Sequence, residues 1–255
     1  MIKMLNLTPE CPICHGEVSL FDVVDFNKNC EENRGKFLPL AGVPIYYSRC
    51  QNCSFTFAPE FSNWSEQDFF EKIYNDQYVD IDPDYLETRP TSNAQGLKDI
   101  FKDKQQFIRH LDYGGGNGRM SQILAADGWL SETYDPFPAT DVKLKDLGKF
   151  NLITSLEVFE HVPDANALMQ NLTQALSDDG LILFSTLISD NDLKLNQRMS
   201  WWYAAPRNGH ISLYSRESLF RLGLKYGLKF ASFSDGFHAY YKTIPSWASH
   251  IIREG

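Results

Sequence analysis

The sequence has no long hydrophobic run. Its apolar stretches are short, as in LILF at 181–184, whereas a bilayer-spanning helix needs about 20 apolar residues. No transmembrane segment is expected. The first residues, MIKMLNLTPECP, lack a sustained apolar stretch and a small-residue cleavage pattern, which predicts a cytoplasmic protein without a secretion signal. Positive charge is scarce as well: 24 Lys and Arg stand against 33 Asp and Glu, a net charge of −9. Such a balance repels nucleic acid and anionic membrane at long range, so neither is expected as a partner. The chain also lacks internal repeats, low-complexity tracts, a Ser–His–Asp motif and any basic stretch interleaved with aromatics.

Cysteine is sparse, with five in 255 residues, yet four of them form two Cys-x-x-Cys pairs, CPIC at 11–14 and CQNC at 50–53. In a reducing compartment such pairs are more often metal ligands than disulfides. Four thiolates, Cys11, Cys14, Cys50 and Cys53, complete a tetrahedral zinc site. The segment around them is too small for a large core, so the metal would supply much of its folding energy. Redox use of either pair is the alternative. CPICH also fits a haem-attachment motif, but without an export signal, and with a second pair at hand, zinc is expected. Cys30 is left over as an idle or buried thiol, and His15 as a solvent-facing neighbour of the first pair.

Composition divides the chain in three. Residues 1–60 hold all the cysteines and two strand-like runs, EVSLFDVVDF and VPIYYSRC, and are expected to form a zinc-ribbon-like domain. Residues 61–106 are polar and aromatic and predict a helical linker or lid. Within it WSEQDFFEKIYNDQY reads as one helix capped by Ser65, with Phe69, Phe70, Ile73 and Tyr74 at helical spacing. From 107 to 255 strands alternate with helices. FIRHLDYG, LSETYDP, FNLITSLEVF and LILFSTLIS are expected strands. GRMSQILAADG, ANALMQNLTQALSDDG (ending at Gly180) and SRESLFRLGLKYG (opened by Ser215 and Ser218) are expected helices. LKFASFSD and HAYYKTI suit a terminal antiparallel hairpin. The fold class is therefore α/β, Rossmann-like, with a mostly parallel sheet, plus the small N-terminal zinc ribbon.

The glycine-rich loop HLDYGGGNG follows the first of these strands. Two phosphate-binding signatures are absent from it. A phosphate loop ends in Gly-Lys-Ser/Thr, whereas Gly118 is followed by Arg119 and Met120. A dinucleotide fingerprint needs Gly-x-Gly-x-x-Gly, and both possible frames fail, at Arg119 and at Ser121. What remains is Gly114-x-Gly116-x-Gly118, a strand-to-helix turn whose backbone can approach a ligand closely. Asp112, just before it, would repel a pyrophosphate and attract an ammonium or sulfonium. Asp135 ends the next strand about twenty residues on, where an acid commonly holds ribose hydroxyls. Phe137 is placed to stack on an adenine. A ligand cationic at one end and carrying adenosine at the other is S-adenosylmethionine.

HLDYGGGNG, YDPF and FNLITSLEVFEHVPDA together resemble the first, second and fourth motifs of the class I S-adenosylmethionine-dependent methyltransferases, over about residues 107–244. The resemblance implies that Asp112 and the glycines face the methionine end of the cofactor, that Asp135 holds its ribose, and that Leu156 and Glu157 border cofactor and acceptor. Two features depart from the family: position 151 is Asn where Asp is usual, and the segment from Asp135 to Phe150 is too short for a full helix and third strand. The adenine-amino contact is thus unassigned, with Asp141 and Asp146 as candidates. A zinc module followed by this core is similar, more loosely, to bacterial sugar C-methyltransferases with an N-terminal zinc-binding domain.

Methyl transfer requires an acceptor in line with the methyl group and, for a hydroxyl or carbon acid, a base. If a helix follows the strand at LEVFEHV, Glu157, Glu160 and His161 fall on one face. Ubiquinone-pathway O-methyltransferases show a similar Glu-x-x-Glu-His, which makes a cation conceivable; a structural turn with His161 bonded to backbone is the alternative. WWYAAPRNGHISLYS offers Trp201, Trp202 and Tyr203 as a wall, Arg207 as an anion fork and His210 as a base. Its alternative is a packed lid with His210 bonded to backbone. Tyr85, Arg89 and Asn93 are further acceptor contacts or members of a solvated loop. The expected function is methyl transfer from S-adenosylmethionine to a small polar acceptor such as a nucleotide-linked sugar. An RNA methyltransferase with a zinc module and a non-catalytic zinc- and cofactor-binding module are the alternatives.

Overall fold

Strands form where β-branched and aromatic residues run together, and helices where apolar positions recur three or four apart. A computed structural model describes residues 10–137 and 142–252. In chain order it contains β1 (Val18–Asp25), β2 (Pro44–Cys50), β3 (Thr56–Phe57), α1 (Glu66–Lys72), α2 (Tyr78–Ile81), α3 (Thr88–Ile100), β4 (Arg109–Tyr113), α4 (Arg119–Ala126), β5 (Leu130–Tyr134) and β6 (Phe150–Leu156). There follow α5 (Ala165–Ala175), β7 (Leu176–Ser185), β8 (Ser212–Leu213), α6 (Arg216–Lys225), β9 (Lys229–Ser232) and β10 (Phe237–Tyr241). No described helix is long and apolar enough to cross a membrane.

The chain divides into two units. The first takes in residues 10–81, 160–166 and 187–222; the second, 82–137, 142–159, 167–186 and 223–252. In the first unit an antiparallel sheet runs β1-β2-β3-β8. Its last strand comes from far along the chain: Thr56 pairs with Leu213 and Phe57 with Ser212. Beside β3, the ring of Phe55 packs against Phe57 and Tyr214, with centroids 5.2 and 4.9 Å away. A bulge in β1 between Leu20 and Asp22 turns Asp22 onto the Met199 amide and the Arg198 guanidinium.

The second unit is a six-stranded sheet in the order β5-β4-β6-β7-β10-β9. β5, β4, β6 and β7 are parallel, and β10 lies antiparallel to both β7 and β9. This is the Rossmann-like α/β arrangement expected from the sequence, mostly parallel with a terminal antiparallel hairpin. Successive residues of β7 face opposite sides, as the pleat requires. Leu181 and Leu183 enter a core with Leu97, Phe101, Met120 and Trp247. Phe184 instead stacks on Phe159 and Tyr240, with centroids 4.3 and 4.7 Å away. From β4 the chain winds through α4 to β5 on one side and then returns to β6 on the other. The carboxyl end of β4 is thus a topological switch point, where ligands of such sheets bind. Among the described residues between β5 and β6 only a short 3-10 turn, Leu144–Asp146, is present, in keeping with the short segment in the sequence.

Two expected elements are corrected. The helix expected over 64–78 breaks after Lys72. Ser65 caps it reciprocally with Asp68, but the Asn75 side chain donates to the Glu71 carbonyl and accepts from the Gln77 amide, diverting backbone groups that a continued helix would use. The helix expected to end at Gly180 ends at Ala175. Leu176 is buried and pairs with Phe150 in the sheet, so burial of that side chain overrides the local preference of a polar Ser-Asp-Asp-Gly run.

Candidate functional site

In the second unit, β4 delivers Asp112 to the base of the glycine turn. Gly114, Gly116 and Gly118 have φ of 78°, 55° and 76°, the left-handed region open to glycine. Gly115 serves differently: a methyl group there would overlap the Asp112 carboxylate and lie 2.8 Å from the Thr133 methyl group. Gly116 is exposed, and a Cβ on it would meet nothing within 4 Å. The turn therefore presents bare backbone outward and a buried carboxylate beneath.

Asp112 is almost wholly buried. Loss of hydration pushes its pKa up to about 7, against the Thr154 hydroxyl bond, which lowers it, and with the charge of Asp135, which raises it. Thr154 Oγ donates to Asp112 Oδ1 at 3.0 Å. Asp135 at the end of β5 grips the turn: its Oδ2 accepts the Gly116 amide at 2.7 Å and its Oδ1 the Phe137 amide at 2.8 Å. Burial raises its pKa while those two bonds hold it down. Each carboxylate oxygen keeps a second lone pair that can accept a sugar hydroxyl.

Leu156 is half-buried at the end of β6. Glu157 follows in a left-handed conformation, φ 55°. Its amide donates to Ser185 Oγ at 2.8 Å, and Ser185 Oγ donates to its Oε1 at 2.7 Å. The helix expected to carry it is only a 3-10 turn, Phe159–His161, that begins two residues later. Asp146 is exposed in its own short turn, and Asp141 lies outside the described residues.

In the first unit, Glu160, His161 and His210 come together with ligand atoms all within 4.8 Å of one another. The two imidazoles meet edge to face at 4.8 Å. The Tyr203 hydroxyl donates to buried Glu160 Oε1 at 2.6 Å, and the Tyr74 hydroxyl is 3.1 Å from His161 Nδ1. His210 Nδ1 lies 2.8 Å from the Tyr203 carbonyl. A carbonyl can only accept, so Nδ1 carries the proton and Nε2 is the basic nitrogen. Tyr47 donates to the His210 carbonyl at 2.6 Å, and Cys30 Sγ stands 3.7 Å from Nδ1. Gly209, φ 87°, permits the assembly, because a Cβ there would lie 2.8 Å from the Tyr74 hydroxyl and 3.0 Å from His161 Nδ1.

Several expected contacts are placed elsewhere. Arg207 is buried and donates to the Ile73 carbonyl at 3.0 Å. Arg89 forms a two-bond pair with Asp82. Trp201 and Tyr203 are buried and packed together, whereas Trp202 is half-buried. Sequence reasoning passed over Gly115 and Thr154, and it read Tyr203 as an acceptor wall without its hydroxyl bond to Glu160. Gly115 was hidden because only its missing Cβ matters, and Thr154 because it lies on a neighbouring strand.

Also in the first unit, Cys11, Cys14, Cys50 and Cys53 gather, with Sγ atoms within 4.8 Å of one another. Cys11 and Cys53 stand 3.6 Å apart and Cys14 and Cys50 3.5 Å apart, well beyond a disulfide bond. Around a tetrahedral zinc with Zn–S of about 2.3 Å, sulfurs lie roughly 3.8 Å apart. The two pairs turn alike: the residues just after them, His15 and Ser54, both have φ 58° and both donate their amides to the carbonyl of the first cysteine. The hydrogen bond with Cys53 lowers the pKa of the Cys11 thiol. His15 is exposed and pairs with Glu10, outside the sulfur set.

Residues 85–232 match a family model described as a methyltransferase domain. Among curated proteins the chain is similar to the ubiquinone biosynthesis O-methyltransferase of Colwellia psychrerythraea, 31% identical over 80 residues, 31% of this chain and 32% of that protein. It is also similar to the enzyme of the same name from Coxiella burnetii, 27% identical over 99 residues, 30% of this chain and 42% of that protein. The alignments thus span from a third to two-fifths of these relatives. Among solved structures, a mitomycin 7-O-methyltransferase is similar at 11% identity and TM-score 0.49, over 69% of this chain and 60% of that one.

Proposed function

Because the chain belongs to the methyltransferase-domain family, we propose that it transfers a methyl group from S-adenosylmethionine to a hydroxyl of a small polar metabolite. The observation that carries this reading is the pair of carboxylates at the carboxyl ends of β4 and β5, one buried under the glycine turn and one gripping it. Two acids there disfavour a polyphosphate and favour a cationic ligand. Asp135 would accept the ribose hydroxyls, Phe137 would lie on the adenine, and Asp112 with Gly114, Gly116 and Gly118 would hold the methionine end beside Leu156. The cofactor, when bound, supplies a methyl group already activated on a sulfonium. The chain's own task is to orient the acceptor and to remove its proton. We assign proton removal to His210 through Nε2, with His161 beside it. Glu157, held by Ser185, is assigned to orient the acceptor rather than to accept its proton.

Oxygen as the acceptor atom is supported by the O-methyltransferases among the relatives. A small molecule such as a sugar derivative is preferred to RNA, since a net charge of −9 opposes a polyanion. Zinc is proposed as a structural ion on Cys11, Cys14, Cys50 and Cys53, whose spacing fits it. The test is transfer of labelled methyl from S-adenosylmethionine into a metabolite extract. Wild-type protein should label a small product. Asp112→Ala should lose cofactor binding, and His210→Ala should bind cofactor and transfer slowly. Normal cofactor binding by Asp112→Ala would remove the basis of the assignment.

A further inference from the structure

His110 sits inside the second unit with no exposed surface, two residues before the acid of the glycine turn. Both of its nitrogens meet hydroxyls: Nδ1 is 2.8 Å from Ser131 Oγ on β5, and Nε2 is 2.8 Å from Thr154 Oγ on β6. Thr154 in turn bonds Asp112. The four side chains thus form one chain of hydrogen bonds, from half-buried Ser131 through His110 and Thr154 to fully buried Asp112. Burial draws the imidazole pKa down to about 3, so in ordinary buffers His110 is neutral, with one N–H and one lone pair.

These capacities permit two arrangements. An ionised Asp112 only accepts, so Thr154 must donate to it. Thr154 then accepts from His110 Nε2–H, and His110 Nδ1 accepts from Ser131. When Asp112 Oδ1 carries a proton and donates to Thr154, Thr154 is free to turn its own proton from the acid to Nε2, a nearer acceptor than the Leu111 carbonyl at 3.5 Å, and Nδ1–H then donates to Ser131. One proton entering at Ser131 converts the first arrangement to the second. Ser131 passes a proton to Nδ1, Nε2 passes its own to Thr154, and Thr154 passes its own to Asp112. The balance is one proton gained by the carboxylate and no charge left on the ring.

We propose that Ser131, His110 and Thr154 are a proton wire to Asp112, and that His110 is a positioning residue whose tautomer reports and sets the state of the cofactor acid. A cationic ligand at Asp112 favours the ionised carboxylate and hence the Nε2–H tautomer. The other groups around the wire do not replace it. Asp135 on β5 adds like charge to Asp112. Thr133 touches the turn from the same strand. The indole of Trp129 meets the His110 ring edge-on at 6.3 Å. Arg109 and Glu132 pair at the exposed end of the strands, and Arg119 of α4 pairs with Glu87.

The test follows the His110 ring nitrogens and the Asp112 carboxyl carbon by NMR across pH 5 to about 9, in ligand-free protein. The expected result is a change from the Nδ1–H to the Nε2–H tautomer with the same midpoint as the carboxyl. Thr154→Val should raise the carboxyl midpoint and leave one His110 tautomer at every pH; Thr154→Ser should restore the coupling. A single His110 tautomer in wild-type protein while Asp112 titrates would overturn the proposal, and this holds even if Thr154→Val fails to fold. The link to S-adenosylmethionine rests on the proposed function and is read separately. Adding it should lower the common midpoint. If it does not bind at all, the functional assignment fails, while the wire is still decided by the ligand-free titration.

Discussion

Gly115 lies directly over the Asp112 carboxylate, so closely that a methyl group on it would overlap Oδ2. The contact makes the middle glycine of the turn a spacer for an acid rather than a hinge. Its neighbour Gly116 has open space around its Cβ position and a positive φ of 55°. The two positions should therefore respond differently to alanine. Gly115→Ala should displace the carboxylate and weaken S-adenosylmethionine binding by more than about tenfold. Gly116→Ala meets only the left-handed backbone strain, roughly 1–2 kcal/mol of stability. Calorimetric binding and thermal melting of the two variants separate the effects; equal affinities would show that the spacer role is wrong.

Buried Asp112 also sets a pH dependence of folding. Its pKa is raised to about 7 in the native state, against about 4 in an unfolded chain. Between those values the native protein holds a proton that the unfolded chain has lost, so stability falls as pH rises through this window. The full effect is roughly 4 kcal/mol, reached above pH of about 7. Asp112→Asn cannot ionise and should melt at a higher temperature than wild type at pH of about 8, while binding cofactor poorly. Melting curves at several pH values check the slope. A wild-type melting temperature that rose across this window, and matched that of Asp112→Asn at the alkaline end, would contradict it.

The sequence disclosed the second unit more fully than the first, for a physical reason. Alternating strands and helices, a glycine turn and acids at strand ends are local patterns, so β4, α4, β5 and the β9–β10 hairpin were legible from 107 onward. Pairing across the sequence was not. Nothing in Ser212 and Leu213 announces that they complete the sheet of the cysteine-bearing segment beside Thr56 and Phe57. Arg207 reads as an anion fork until its burial and its bond to Ile73 are seen. Glu157, Glu160 and His161 read as one helical face, yet the left-handed backbone at Glu157 sends its side chain to Ser185. Such positions depend on partners far along the chain, which no local pattern encodes.

The cluster in the first unit makes a prediction through Gly209. Its backbone, φ 87°, and its proximity to Tyr74 and His161 leave no room for a side chain. Gly209→Ala should move the His210 loop and slow methyl transfer, with cofactor affinity unchanged. Tyr203→Phe removes the hydroxyl that donates to buried Glu160 and should cost about 1–3 kcal/mol of stability. His210→Gln should lower kcat by roughly 10²–10⁴-fold if its Nε2 is the base. Single-turnover rates at saturating cofactor measure the last effect; a His210→Gln rate equal to wild type would exclude the assignment.

Metal removal should reach this loop within the same unit. Ser215 Oγ donates to the Cys53 carbonyl at 2.5 Å, and Tyr47 of β2 donates to the His210 carbonyl. β3, which follows the second cysteine pair, is joined to β8. The sulfur set and the His210 loop therefore share one sheet, and loss of the ion should loosen both. Zinc bound to four thiolates contributes on the order of 10 kcal/mol of apparent binding energy in small modules, enough to decide whether this sheet persists. The expected content is one zinc per chain, lost in Cys53→Ser. Treatment with a strong chelator should then lower kcat while leaving S-adenosylmethionine affinity nearly unchanged, because Asp112 and Asp135 belong to the other unit. Elemental analysis gives the stoichiometry, and paired calorimetry and kinetics before and after chelation give the separation. Equal losses of affinity and rate would show that the metal supports the whole chain rather than this sheet.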